Sequence, residues 1–156
     1  MPYSAVSTHA SASGLRLRWA DLVALVGRIP LSLHQLLFRL AVAGVFLRAG
    51  LIKITSWEST VALFADEYKV PVLAPHLAAA MAVSFEVGCS VLLLLGLGTR
   101  LAALPLIGMI MTIQIFVYPQ AWSEHLVWGS ILLFLLTRGG GAISLDHLIA
   151  RCFGQD

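Results

Sequence analysis

The most constraining feature of the chain is an apolar run at residues 76–100, HLAAAMAVSFEVGCSVLLLLGLGTR, which contains one acidic residue, Glu86. A helix needs about 20 predominantly apolar residues to cross a bilayer, and this run is long enough. It ends in Gly96, Gly98 and Arg100, a pattern typical of a helix that leaves the membrane. Because a lone carboxylate inside a bilayer is costly, the run also predicts that Glu86 has a partner elsewhere in the chain.

The composition indicates an integral membrane protein. The 156 residues are 59% hydrophobic and 12% charged, and the mean hydropathy is +0.90. Soluble domains average about 45–50% apolar and about 25% charged residues. At about 20 residues per crossing, the chain has room for about four spans and for no separate soluble domain. The cations are scattered over tails and span ends, so the net charge of +2 predicts no nucleic-acid partner.

The apolar segments predict an all-α fold, an antiparallel four-helix transmembrane bundle with short amphipathic helices at the interface. The predicted spans lie at about residues 33–54, 76–97, 101–118 and 122–137. Together they form a transmembrane domain at residues 33–138. We expect residues 1–32 to be a cytoplasmic tail with an amphipathic segment, and residues 139–156 to be a cytoplasmic C-terminal tail whose glycine run, 139–141, stops the last span.

Small residues predict how the first span packs. Ala41, Gly44 and Arg48 share one face at 100° per residue, which would allow a neighbouring helix to approach closely there. Arg39 and Lys53 lie near the two ends of this span, and we expect their side chains to reach the interface. The second span also has a small-residue side, expected to face protein, formed by Ala79, Ala82, Glu86, Cys89 and Gly96.

The distribution of charge predicts the orientation in the membrane. Arginines precede the first span, occur between spans two and three, and follow span four. The two other connections contain Glu58, Asp66, Glu67 and Glu124, with Lys69 as their main cation. Cytoplasmic loops carry an excess of Lys and Arg, so both termini are predicted to be cytoplasmic.

With this orientation, most polar residues of the spans lie in the outer half of the bundle, with Glu86 roughly 15 Å below the outer end of its span. We call these residues the candidate polar cluster: Arg48, Lys53, Glu86, Gln114, Tyr118, Glu124, His125 and Trp128. They predict a shallow pocket that opens on the non-cytoplasmic side. Glu86 is expected at its floor, and Glu124, His125 and Trp128 at its rim.

The chain resembles the DoxX family of small four-helix membrane proteins. The resemblance is carried by FLRAGLIKITSWEST at the end of span one, the second span with Glu86, the GLGTRLAAL turn and the closing GGGAISLDHLI. It implies a multi-pass protein of a bacterial-type inner (cytoplasmic) membrane, associated with a quinone-linked redox complex. The segment TIQIFVYPQAWSEHLVW is most similar to a subgroup that accompanies copper-handling peptide systems.

Two interpretations of Glu86 remain open. In the structural one, Glu86 and Arg48 form a buried ion pair that fixes the packing of spans one and two. In the functional one, Glu86 accepts protons, and Arg48 or Lys53 contacts a quinone carbonyl or an anionic substrate. No catalytic residue is assigned by the resemblance.

The remaining polar residues also allow two interpretations. His125, oriented by Glu124, is either a proton relay or ligand site beside Trp128, or an ordinary residue of the membrane boundary. Gln114 and Tyr118 either donate hydrogen bonds to a quinone or form bonds between helices. We predict no metal site, because ligands at suitable spacing are lacking.

Two classes of function follow. The first is a membrane subunit of a redox complex, that is, a non-catalytic or quinone-binding subunit of an oxidoreductase. The second is a non-enzymatic membrane module that binds a small molecule or accessory protein, in copper or metal-stress handling. Quinone is the cofactor that the resemblance implies, and the expected partners are the lipid bilayer and either another protein or a second copy of the chain.

Overall fold

A computed structural model describes the backbone of residues 9–154 and the side chains of residues 18–154. The predicted tail at residues 1–8 and the last two residues lie outside the described residues. The prediction of an all-α fold is confirmed, since residues 9–154 form helices and turns without a strand. The helices are α1 (His9–Gly27), α2 (Leu31–Thr55), α3 (Trp57–Leu63), α4 (Pro75–Leu95), α5 (Thr99–Thr112), α6 (Trp122–Arg138) and α7 (Leu145–Cys152).

Two helices continue into π-helical turns. The turn Phe64–Tyr68 extends α3, and the turn Ile113–Val117 extends α5. A short 3₁₀ turn, Pro119–Ala121, then leads into α6. Isolated π-helical turns are uncommon and are often found at functional sites. The predicted amphipathic connection between the first two spans is therefore helical along most of its length.

Helix α1 belongs to a compact unit that ends at Pro30, and a second unit begins at Leu31. The predicted amphipathic segment is helical, and its described apolar side chains, including Trp19, Leu22 and Val26, are exposed. Its location at a membrane surface stays a prediction.

In the second unit, α2, α4, α5 and α6 pack as antiparallel neighbours. Ring contacts show the direction for α2 and α6, because Phe38 packs against Phe134 while Phe46, further along α2, packs against the earlier residue Trp128. The four helices enclose one apolar core, whose fully buried members include Ala43, Leu93, Ala103, Leu106, Leu132 and Leu135.

Helix α2 approaches α4 most closely at Gly50. A Cβ atom at this position would lie 2.7 Å from Val87 Cγ2 and 3.0 Å from Glu86 Cβ. The expected close approach along Ala41, Gly44 and Arg48 is wrong: all three are exposed, and nothing lies within 4 Å of a Cβ atom built at Gly44. The buried face of α2 is a different one, and it consists of Gln35, Arg39, Val42, Ala43, Phe46 and Gly50.

Arg39 is buried near the start of α2, where the segment that follows α6 encloses its guanidinium group; the position of this group relative to the membrane interface stays a prediction. The exposed fraction of Arg39 is 2%. One guanidinium nitrogen, Nη1, donates to the carbonyl oxygens of Gly140 at 3.0 Å and Ile143 at 2.9 Å. Gln35, one turn earlier, donates to the carbonyl oxygens of Arg138 and Gly139. Of these four carbonyl groups, that of Arg138 is the last of α6 and lacks an intrahelical donor, and the other three belong to the segment that follows the helix.

The glycine run after α6 does more than stop a helix. A Cβ atom at Gly141, where φ is +79°, would lie 2.2 Å from Gln35 Oε1, so this position requires glycine. The following residues reach the turn between α4 and α5, where Asp146 accepts hydrogen bonds from the backbone N–H groups of Gly98 and Thr99. The C-terminal segment is thus bonded to α2, to the turn between α4 and α5, and to the first residue of α5.

Two described helices are long and apolar enough to cross a membrane, namely Pro75–Leu95 and Thr99–Val117. Helices also occupy the other two predicted spans, but α6 has 17 residues and α2 contains Arg39, Arg48 and Lys53. The crossing of a membrane by α2 and α6 therefore stays a prediction.

Candidate functional site

The partner of Glu86 is Lys53, in the last turn of α2. Lys53 Nζ donates to Glu86 Oε1 at 2.6 Å. Both side chains are largely buried, and Glu86 is 4% exposed. The requirement that Glu86 has a partner is therefore met, whereas Arg48 is exposed and forms no ion pair among the described residues.

The close approach of α2 and α4 explains why Lys53 takes this role. Gly50 lies one turn before Lys53 and allows α4 to pack near enough for the ammonium group to reach inward. The backbone is fixed at this point, because Thr60 of α3 donates its hydroxyl to the carbonyl oxygen of Lys53 at 3.2 Å. Lys53 had been expected to extend to the interface, and its ammonium group instead turns inward to Glu86.

A cavity of about 560 Å³ lies beside this ion pair. Helices α4 and α5 and both π-helical turns line it, and its surface is almost entirely apolar. Its wall includes Ala82, Phe85, Pro105, Met109, Phe64 and Val117. Small-molecule sites in proteins have about this size and are lined mainly by apolar groups with few polar ones.

The second carboxylate oxygen of Glu86 has no hydrogen-bond partner among the described residues, although it is buried. Buried polar atoms are nearly always bonded, because leaving one unpaired costs about 1–3 kcal/mol. The ammonium group of Lys53 has three N–H donors and uses one of them in the hydrogen bond to Glu86 Oε1. The ion pair therefore retains N–H donors on Lys53 and an acceptor oxygen on Glu86. The site can thus bind a ligand that carries an acceptor, a donor or both.

Two tyrosines stand where the π-helical turns meet. Tyr68 lines the cavity, and its ring contacts that of Tyr118 at 5.8 Å. Tyr118 donates its hydroxyl to Glu67. Burial raises the pKa of Tyr68, so this phenol keeps its proton at neutral pH. The sequence pattern gave Tyr68 no role, and it singled out Glu67 only as one of the acidic residues of the connections.

His125 and Gln114 form a second group. His125 is 7% exposed, and its Nδ1 lies 2.7 Å from Gln114 Oε1. They line a separate groove of about 520 Å³ between α5 and α6. The ring of Trp128 lies 5.8 Å from that of His125. Glu124, which had been expected to orient the imidazole, is exposed, and Gln114 occupies that position instead.

The structure therefore divides the candidate polar cluster. Lys53 and Glu86 line the first cavity, and Tyr118 is bonded at its edge. Gln114 and His125 line the second groove. Arg48 and Glu124 are exposed, and Trp128 packs against Phe46 in the core. The prediction of a single pocket, with Glu86 at its floor and His125 at its rim, is wrong, because Glu86 and His125 line two separate cavities.

Comparison with known proteins gives one match. The model of the DoxX family matches residues 34–119. No curated protein and no solved structure matches the chain. Within the described residues, no three His, Cys, Asp or Glu side chains lie close enough together to hold a metal ion.

Proposed function

Since the chain belongs to the DoxX family of membrane proteins, we propose that it is a membrane subunit of a quinone-linked redox complex. The quinone would occupy the cavity beside Lys53 and Glu86. The observation that carries this proposal is that Glu86, one carboxylate oxygen of which is buried without a partner among the described residues, is also one of the residues that line an apolar cavity.

The residues fit such a ligand. A quinone is a flat, largely apolar ring with two carbonyl acceptors, and a cavity of about 560 Å³ has room for a ring of that kind. Lys53 can donate to one carbonyl with a proton that the ion pair does not use. When bound, a quinone would accept two electrons, supplied by a partner oxidoreductase, and two protons.

The protein's own groups would handle the protons and exclude water. Glu86 Oε2 is a free acceptor and can hold a proton next to the ligand, while Lys53 keeps the carboxylate oriented through Oε1. Phe64, Phe85 and Met109 form an apolar wall against water. In such surroundings hydrogen bonds and charges act more strongly than in water.

Ligand retention tests the proposal. We expect the protein, purified in mild detergent, to retain about one quinone per chain, quantified by mass spectrometry of the organic extract. Gly108 lines the cavity, and nothing lies within 4 Å of a Cβ atom there, so Gly108→Leu should fill the space and abolish retention. Gly44→Leu is the matched control, because Gly44 is an equally open glycine away from the cavity.

Glu86→Gln should leave quinone retention close to that of the wild type, because Lys53 is the donor to the quinone carbonyl, and should slow reduction of the bound quinone, followed by its ultraviolet absorbance, because an amide cannot hold the proton that Glu86 would hold. Equal retention by the Gly108→Leu and Gly44→Leu proteins would contradict the proposed site. A protein that retains a quinone but never exchanges electrons with it, and that binds a secreted metal-binding peptide, would support the alternative of a non-enzymatic membrane module.

We further propose that α2, α4, α5 with its π-helical turn, and α6 each cross the bacterial-type inner membrane, with both termini in the cytoplasm. The charge distribution and the antiparallel packing of the four helices support this topology.

Cysteine labelling in intact cells tests the topology. Gln120→Cys should react with a membrane-impermeant maleimide, because it lies on the predicted outer connection. The natural Cys152 is exposed at the end of α7 and serves as the internal control, since it should react only after the membrane is permeabilised. The reverse labelling pattern would contradict the orientation.

A further inference from the structure

The groove between α5 and α6 contains an imidazole whose tautomer the surrounding bonds determine. Gln114 Nε2 donates to the carbonyl oxygen of Pro119 at 2.8 Å. This carbonyl can only accept, so the amide nitrogen of Gln114 must face it, and Oε1 must face His125. Oε1 is likewise only an acceptor, and His125 Nδ1 at 2.7 Å therefore carries the proton. In the neutral imidazole, Nε2 is then the free acceptor.

This acceptor has no partner within the described chain. His125 is more than nine-tenths buried, and Nδ1 accounts for its one hydrogen bond. The residue lines the groove of about 520 Å³, so Nε2 can meet a ligand there. An imidazole nitrogen without a donor, on a side chain that is largely buried and lines a groove, is a place where a ligand's hydroxyl group would be bound preferentially.

The wall of the groove restricts the ligand further. No Lys, Arg, Asp or Glu is among its lining residues, which are mainly aliphatic with one exposed indole, Trp122. A phosphate headgroup would therefore meet no cation in the groove, and an ammonium group would meet no carboxylate. An uncharged, apolar molecule with one hydroxyl donor fits both the wall and the acceptor.

We infer that this groove is a second binding site, distinct from the cavity beside Lys53, and that it binds an uncharged, lipid-soluble phenol through a hydrogen bond to His125 Nε2. Gln114 is a positioning residue: it holds Nδ1 protonated, and so makes Nε2 the acceptor. The edge of Trp122 and the aliphatic side chains supply the apolar contacts. This inference does not depend on quinone binding in the first cavity.

A matched ligand pair tests the site in the full-length wild-type protein in lipid nanodiscs. The probes are 4-octylphenol and 4-octylanisole, which have nearly the same shape but differ in the hydroxyl donor. After subtraction of partitioning into empty nanodiscs, we expect the phenol to bind about three- to tenfold more tightly, the value of one hydrogen bond. Equal binding of the two probes would overturn the inference.

Variants locate the effect. His125→Phe should reduce phenol binding to the level of the anisole and leave anisole binding unchanged. Ser130→Ala is the control, because Ser130 lines the same groove but bonds its hydroxyl to the carbonyl oxygen of Val127. An unchanged preference for the phenol in His125→Phe would overturn the site, as would a preference lost equally in Ser130→Ala.

The tautomer of His125 can be measured directly, without a ligand, by NMR spectroscopy. In ¹⁵N spectra of the wild-type protein, we expect His125 Nδ1 at a protonated position and Nε2 at an unprotonated one in the neutral form. On addition of 4-octylphenol, only Nε2 should shift strongly. In Gln114→Leu the two tautomers should mix, whereas a protonated Nε2 in the wild type at alkaline pH would contradict the assignment.

Discussion

Lys53→Met is expected to lower the free energy of unfolding by about 3–5 kcal/mol, because it leaves the Glu86 carboxylate buried without its cation. A large loss of stability is expected because Lys53 Nζ and Glu86 Oε1 are 2.6 Å apart and both side chains are largely buried. The loss can be measured by denaturant titration in mixed micelles, with helix content as the signal.

The double variant Lys53→Met/Glu86→Leu separates the loss of a contact from the presence of an unpaired charge. Replacing a buried ion pair by apolar residues of similar volume is often nearly neutral, so the double variant should recover most of the stability that the single variant loses. Arg48→Met is the matched control: Arg48 is an exposed cation of the same helix, and its replacement should change stability by at most about 0.5 kcal/mol. Equal losses in Lys53→Met and Arg48→Met would contradict the importance of the pair.

Arg39→Leu is expected to lower the free energy of unfolding by about 2–4 kcal/mol. The substitution leaves the carbonyl oxygens of Gly140 and Ile143 without their donor, and each unpaired buried group costs about 1–3 kcal/mol. The effect should be local as well as global, because these two bonds hold the segment after α6 against the start of α2.

Hydrogen exchange can resolve the local part. In Arg39→Leu, the amides of Gly98 and Thr99 should exchange faster, since Asp146, which accepts from both, is placed by the same C-terminal segment. Arg48→Leu provides the control on the same helix and should leave these amides unchanged. Unaltered exchange at Gly98 and Thr99 in Arg39→Leu would show that the segment is held by other contacts.

Together these results would identify two polar anchors at different points of α2. Arg39, near its start, bonds to the C-terminal segment, and Lys53, near its end, bonds to Glu86. Each anchor leaves one buried atom without a partner among the described residues, Arg39 Nε and Glu86 Oε2. The anchors differ in their surroundings, because Glu86 lines the apolar cavity and Arg39 does not. This difference is why the function is proposed for the second anchor.

The sequence by itself determined the all-helical fold, the four helical segments and the family. Apolar length, proline and glycine positions and the spacing of charges are local properties, so they can be recognised without knowing what each helix contacts. The cost of an isolated carboxylate in an apolar run was also enough to predict that Glu86 has a partner.

Only the tertiary structure decided which cation this is. Arg48 and Lys53 lie five residues apart on one helix and therefore on different faces, and the face that turns inward depends on how α2 rotates against α4 and α6. Phe46 and the close contact at Gly50 set that rotation, and it buries Lys53 and exposes Arg48. The same packing separates His125 from Glu86, because helix rotation is a property of all the neighbours together and is not encoded in any one segment.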